Sequence, residues 1–265
     1  MAVQDDERER ELSALFGLDW DAAHQRHGVD AILRDIVVDG RSYDFEIEVK
    51  SSTDFDIGTA RDFGMHHIRR WRKMLFVFGF YSKERGRPEL KNCLCLTPVD
   101  MEPWLTSKEA QMNVDFRLAE RVPRNLQLDD LFAVCGEKDV YTLDDAKRLH
   151  KPQYTASQYA EAIDTKDTGG GNGISQSRML DILQERARYI AERGSTVNNP
   201  HITKTFLTQF IGTSREITNR PHCAPRIRTI AEEFIKAYPD HAAAMDIKNR
   251  SDDELRESAV QRSLL

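Results

Sequence analysis

From Ala31 to Val38 the run AILRDIVV is apolar and rich in branched side chains, and Asp39-Gly40 behind it is a tight-turn signal. The return segment, Tyr43 to Lys50, alternates strictly. Tyr43, Phe45, Ile47 and Val49 take one side, and Asp44, Glu46, Glu48 and Lys50 the other. This pattern predicts a β-hairpin with one apolar face. A helix is expected ahead of it, over roughly residues 6–25, on Leu12, Leu15 and Phe16, with Gly17 as a break. After the polar stretch Ser51–Asp56, a helix is expected from Ile57 to Arg72, because Ala60, Phe63, Gly64, His67, Ile68 and Trp71 form one apolar stripe. The next run, KMLFVFGFYS, is apolar on both faces and predicts a central strand. A polar loop over Lys83–Asn92 leads to a last strand, Cys93 to Thr97. The order helix, hairpin, helix, strand, strand predicts an α/β (α+β) fold, a mixed sheet with helices packed on it.

Beyond Pro98 the pattern is helical in pieces, over Lys108–Glu120, Leu143–Leu149 and Ser157–Ile163. Thr165–Gly173, with three successive glycines, reads as a linker or loop. Three amphipathic helices are expected after it, around Met179–Ile190, Phe206–Ile211 and Ile227–Ile235.

Composition changes this picture little. With 265 residues, 40% hydrophobic and 31% charged, the chain reads as an ordinary globular protein, expected in the cytoplasm. No apolar run reaches the length of a membrane span, and Asp5, Asp6 and Glu7 do not resemble a secretory leader. Cys93 and Cys95 are expected on opposite faces of a strand, and the four cysteines show no zinc spacing. The net charge of −6 does not favour nucleic acid, but the cations are unevenly placed.

Glu48 and Lys50, two apart on a strand, project together. A carboxylate beside an ammonium on a rigid support suits phosphodiester hydrolysis: the carboxylate holds a hard cation, and the lysine orients or deprotonates the attacking water. A second carboxylate is needed, and Asp30 is the candidate. With a two-residue turn Asp30 falls opposite Val49, on the wrong face. With a three-residue loop, or with a bulge at the strand start, it reaches Glu48. The same polar face can also be read as plain solvated charge paired across the hairpin, and Asp35, Asp44 and Glu46 are read as surface charge.

The segments GVDAIL and FEIEVKSS, with Asp30 followed by Glu48-Val49-Lys50 at the end of a strand, resemble the PD-(D/E)XK nuclease motif over about residues 10–97. They are similar to type II restriction endonucleases and to the related Mrr-like and Holliday-junction-cleaving enzymes. The resemblance implies a restriction-endonuclease-like sheet flanked by helices. It also implies metal held by Asp30, Glu48 and the Val49 carbonyl, with Lys50 positioning the water. A further glutamate from the first helix is implied, Glu11 being the first choice and Glu9 close behind. Val29 stands where the family pattern has proline.

On this reading residues 1–164 are the nuclease core with a helical extension, 165–174 a glycine-rich linker or loop, and 175–265 a helical DNA-recognition or dimerisation region. The predicted helix after the hairpin concentrates Arg61, His66, Arg69, Arg70, Arg72 and Lys73, suited to phosphate contacts, with His67 on its apolar stripe. A second set, Lys204, Arg215, Arg220, Arg226 and Arg228, lies in the C-terminal part among short polar loops. His222 and Cys223 read as loop packing. The expected activity is that of a homodimeric, sequence-specific endonuclease of double-stranded DNA, using Mg2+, with Mn2+ able to substitute, and leaving 5′-phosphate ends. No phosphate-binding nucleotide motif occurs, so no nucleotide cofactor is expected. The alternatives are a structure-specific repair or junction-resolving nuclease, and a non-catalytic DNA-binding protein of the same fold.

Overall fold

A computed structural model describes residues 2–20, 30–82, 88–151 and 154–244. Among the described residues, the first unit comprises those up to Ala110 together with 197–244. Its elements begin with α1 (Ala2–Phe16), β1 (Asp19–Trp20), β2 (Ala31–Val38), β3 (Arg41–Ser52) and β4 (Ile57–Gly58). They continue with α2 (Met65–Trp71), β5 (Leu75–Tyr81), β6 (Leu90–Leu96) and the first half of α3 (Pro98–Arg121). The second unit, from Gln111 to Thr196, holds α4 (Leu128–Cys135), β7 (Val140–Tyr141), α5 (Leu143–His150), α6 (Ala156–Glu161), β8 (Thr165–Lys166), β9 (Asn172–Ser175) and α7 (Gln176–Gly194). The chain then returns to the first unit with β10 (His201–Ile202), α8 (Lys204–Thr208), β11 (Glu216–Ile217) and α9 (Cys223–Ala237).

The first unit is a mixed six-stranded sheet flanked by helices, in the order β1-β2-β3-β5-β6-β11. All neighbours are antiparallel except β3 and β5, which run parallel and are joined through α2, as a parallel pair requires a crossover. All seven residues of β5 are buried, in keeping with its predicted central place. One face of the sheet carries Phe45, Ile47, Val49 and Val77 against Leu12 and Phe16 of α1 and Ile227, Ile230 and Phe234 of α9. On the other face the rings of Phe63, Trp71, Phe76 and Trp104 meet edge to face at centroid distances of 5.1–5.4 Å. Gly79 lets α1 lie close to the sheet: a Cβ there would stand 2.6 Å from Leu12 Cδ2.

Several expectations change. The first helix ends at Phe16 with Gly17 at φ 63°, as its break predicts, and residues 21–25 of the expected span lie outside the described residues, as do 83–87 of the expected loop. The helix expected from Ile57 is only Met65–Trp71, because Ile57 and Gly58 pair with His201 and Ile202 instead. Its apolar spacing was partly that of an irregular segment buried by the aromatic cluster. Thr165–Gly173 is no linker. Asp167 accepts from the amides of Gly169 and Gly171 at 2.9 and 2.7 Å and closes a tight hairpin between β8 and β9. The division at 165–174 therefore gives way to an inserted second unit, since β11 pairs with β6 and draws residues 197 onward back to the sheet. Cys93 and Cys95 share one face, as residues two apart on a strand must, and lie in the same core as Cys223. Burial pushes the Cys95 thiol up to about 12. Among the described residues no helix is long and apolar enough to cross a membrane.

Candidate active site

The hairpin supplies the site. Asp39 and Gly40, at φ 50° and 76°, form a two-residue turn with Val38 opposite Arg41. That is the register which, continued, would put Asp30 on the wrong face. It does not continue. The ladder slips by one residue between Leu33 and Ile36, so that Ala31 faces Ile47, and Asp30, immediately before it, comes level with Glu48. The bulge lies within the strand, away from its start.

Asp30 is 6% exposed. Its Oδ2 accepts from the Val49 amide at 2.9 Å and from Lys50 Nζ at 3.1 Å. Lys50 Nζ also stands 2.9 Å from Glu48 Oε1, 3.9 Å from Glu9 Oε1, and donates to the Val49 carbonyl at 3.2 Å. Three carboxylates and one main-chain carbonyl thus surround a single ammonium. Burial and the nearby Asp30 charge push the Glu48 carboxyl up, outweighing the pull of Lys50 and Arg70. Burial works against the Lys50 charge, but Glu48, Asp30 and Glu9 overcome it and hold the ammonium well above an ordinary lysine.

Of the two glutamates considered on the first helix, Glu9 faces this cluster. Glu11 does not: it accepts from Tyr81 Oη and from Arg220, each at 3.1 Å. The correction follows from helix geometry, since Leu12 is committed to the sheet and Glu9, one turn earlier, shares its side. Among the described residues no group of three His, Cys, Asp or Glu is gathered to hold a metal ion. The donors that do converge, two carboxylates and the Val49 carbonyl with Glu9 behind, are all hard oxygens of the kind that holds Mg2+, provided the ammonium yields its central place. Val29 lies outside the described residues.

The cations divide into two groups. Arg61, Arg69 and Lys73 are exposed and His66 and Arg70 partly so, with Arg70 Nε 3.9 Å from Glu46. His67 Nδ1 accepts from the Gly64 amide at 3.1 Å and its ring stacks on Phe63, a structural histidine as its stripe position predicts. Arg72 donates to Glu102 at 2.8 Å and to Glu109 at 2.7 Å and ties α2 to α3. In the C-terminal set Lys204 and Arg220 are exposed. Arg215 pairs with Asp100 at 2.8 Å, Arg220 with Glu11, and Arg226 donates to the Ser214 carbonyl at 2.9 Å. Arg228 donates to the carbonyls of Arg34 and Asp35 at 2.9 and 2.8 Å. Arg215, Arg220 and Arg228 tie the returning segment to α3, α1 and β2 through partners far off in sequence, so spacing alone gave no sign of them, while Arg226 binds within the segment.

Sequence reasoning also missed Asp44. Read as surface charge, it is 9% exposed and accepts from the Asp35 amide at 3.0 Å and from Arg34 at 3.2 Å. Asp56 and His201 Nδ1 form a further unforeseen contact, with Asn199 3.3 Å from the other imidazole nitrogen. No protein-family model, curated protein or solved structure matches the chain.

Proposed function

We propose that the chain is a Mg2+-dependent endonuclease that hydrolyses phosphodiester bonds in double-stranded DNA. The observation that carries this reading is the meeting of Asp30, Glu48 and the Val49 carbonyl around Lys50 Nζ at 2.9–3.2 Å. Asp30, Glu48 and the Val49 carbonyl would hold the cation, which when bound neutralises charge on the phosphate and acidifies water. Glu9 adds negative charge behind them. Lys50, lying among these carboxylates, acts as a donor that orients water and a phosphate oxygen. The exposed Arg61, Arg69 and Lys73 supply backbone contacts to the duplex.

A type II restriction enzyme, working as a homodimer on a short site, remains the form first tested. A structure-specific nuclease is the second reading. It is favoured by the engagement of Arg215, Arg220, Arg226 and Arg228 in contacts within the chain, which occupies most of the cations of the expected recognition region. Supercoiled plasmid and a branched duplex are each incubated with the protein, with and without Mg2+. Discrete plasmid fragments support the restriction reading, and cutting of the branched duplex alone supports the second. Normal DNA binding with no nicking in Mg2+ or Mn2+ would overturn both.

A further inference from the structure

The hairpin carries one residue more on β2 than a continuous ladder accommodates. Next to the turn, Val38, Val37 and Ile36 face Arg41, Ser42 and Tyr43; further along, Leu33, Ile32 and Ala31 face Phe45, Glu46 and Ile47. Arg34 and Asp35 therefore share the place opposite Asp44, and Asp35 adopts a φ of 56°, a left-handed conformation that a residue with a Cβ takes up only at a cost. A bulged pair also leaves its main-chain groups without ladder partners, and these must be satisfied elsewhere.

Both needs are met by side chains. Asp44 accepts from the Asp35 amide at 3.0 Å and holds Arg34 at 3.2 Å, while Arg34 reaches Asp19 on β1 at 2.7 Å. From α9, one Nη of Arg228 donates to both bulge carbonyls, at 2.9 and 2.8 Å, across 194 and 193 residues of chain. The Asp35 amide and both bulge carbonyls are thus occupied, from two sides. A turn register that ran on through the hairpin would leave Asp30 level with Val49.

We propose that Arg228, together with Asp44, is a positioning residue: by fixing the bulge it sets the hairpin register that brings Asp30 to Glu48 and Lys50. The claim concerns the geometry of the site, and its importance for catalysis rests on the nuclease reading. The Val49 amide, which donates to Asp30 at 2.9 Å, reports the register directly.

The test is hydrogen exchange of that amide in the full chain, by NMR, for wild type, Arg228→Met, the deletion of Asp35, and the two combined. In Arg228→Met, Val49 exchange is expected to speed up by roughly tenfold or more, as loss of charged hydrogen bonds implies, while the amides of β5 keep their rates. Deleting Asp35 makes the ladder continuous with Asp30 still level with Glu48. That deletion is therefore expected to leave Val49 protected by itself and to restore protection in the Arg228→Met background, which a merely destabilised protein would not show. Arg226→Met, which loses the Ser214 carbonyl contact and the pairing with Glu233 of the same helix but nothing at the bulge, is expected to leave Val49 unchanged. An unaltered Val49 rate in Arg228→Met, uniform acceleration across the sheet, or failure of the deletion to restore protection overturns the proposal. If Val49 responds as expected but no protein in the set cleaves DNA, the register device stands and the nuclease reading alone falls.

Discussion

Lys50 is the side chain on whose surroundings the proposed chemistry rests. An ammonium within 3.9 Å of Glu48, Asp30 and Glu9 balances charges that cannot stand close together and dry. Lys50→Ala removes that balance, and we expect kcat for DNA cleavage to fall by roughly 10²–10⁴-fold, the range for a positioned donor or acid–base group. Plasmid nicking at saturating DNA measures it. Asp30→Asn separates chemistry from folding more cleanly. The amide oxygen can still accept from Val49, so the hairpin is expected to keep its melting temperature within a few degrees while nicking is lost. DNA affinity should hold or rise, because a negative charge near phosphate has gone. Affinity lost together with cleavage would assign Asp30 a structural role only.

At the scale of elements, two contacts define how helices are placed. Gly79 lies on β5 opposite Ser51 of β3 and Cys93 of β6, under Leu12 of α1. Gly79→Ala drives a methyl into a fully buried leucine, and overpacking of this kind costs about 1–3 kcal/mol. Trimming Leu12 to alanine in the same protein should return part of that loss, and denaturant midpoints decide the point. In the second unit, Asp145 near the start of α5 accepts from the amide and hydroxyl of Thr142 at 3.0 Å and pairs with Lys138 at 2.9 Å and Arg148 at 3.0 Å. Burial opposes its charge, yet Lys138 and Thr142 prevail and hold its carboxyl below the usual range. A carboxyl lowered on folding stabilises above its unfolded pKa and loses that contribution as pH falls through the folded value. Asp145→Asn is therefore expected to destabilise the second unit by about 1–3 kcal/mol at neutral pH. The gap to wild type should close only in strong acid; exchange of α5 amides at several pH values follows it.

For the whole molecule, the distribution of cations matters more than the net charge of −6. Arg61 and Lys73 are exposed, whereas Arg215 is spent on Asp100. Alanine at Arg61 or Lys73 should weaken binding to all duplexes and reduce the slope of log affinity against log salt by about one per charge. Arg215→Ala should leave that slope alone and lower thermal stability instead. Titrations of one duplex at several salt concentrations distinguish the two behaviours, and equal slopes for all three variants would sink this assignment of the surface.

What the sequence determined by itself was the local part: β2 from Ala31 to Val38 as predicted, the alternation of β3, the buried centre of β5 and the break at Gly17. These depend on side-chain period and on glycine's backbone, which neighbours in the chain dictate. Asp30, Glu48 and Lys50 were legible as candidates for the same reason. Their meeting was not. Whether Asp30 came level with Glu48 turned on a bulge fastened by Asp44 and Arg228, and the fate of Arg72, Arg215 and Arg220 turned on carboxylates 30 to 209 residues away. Only tertiary structure decides such pairings, because a long charged side chain takes whichever partner folding brings within reach.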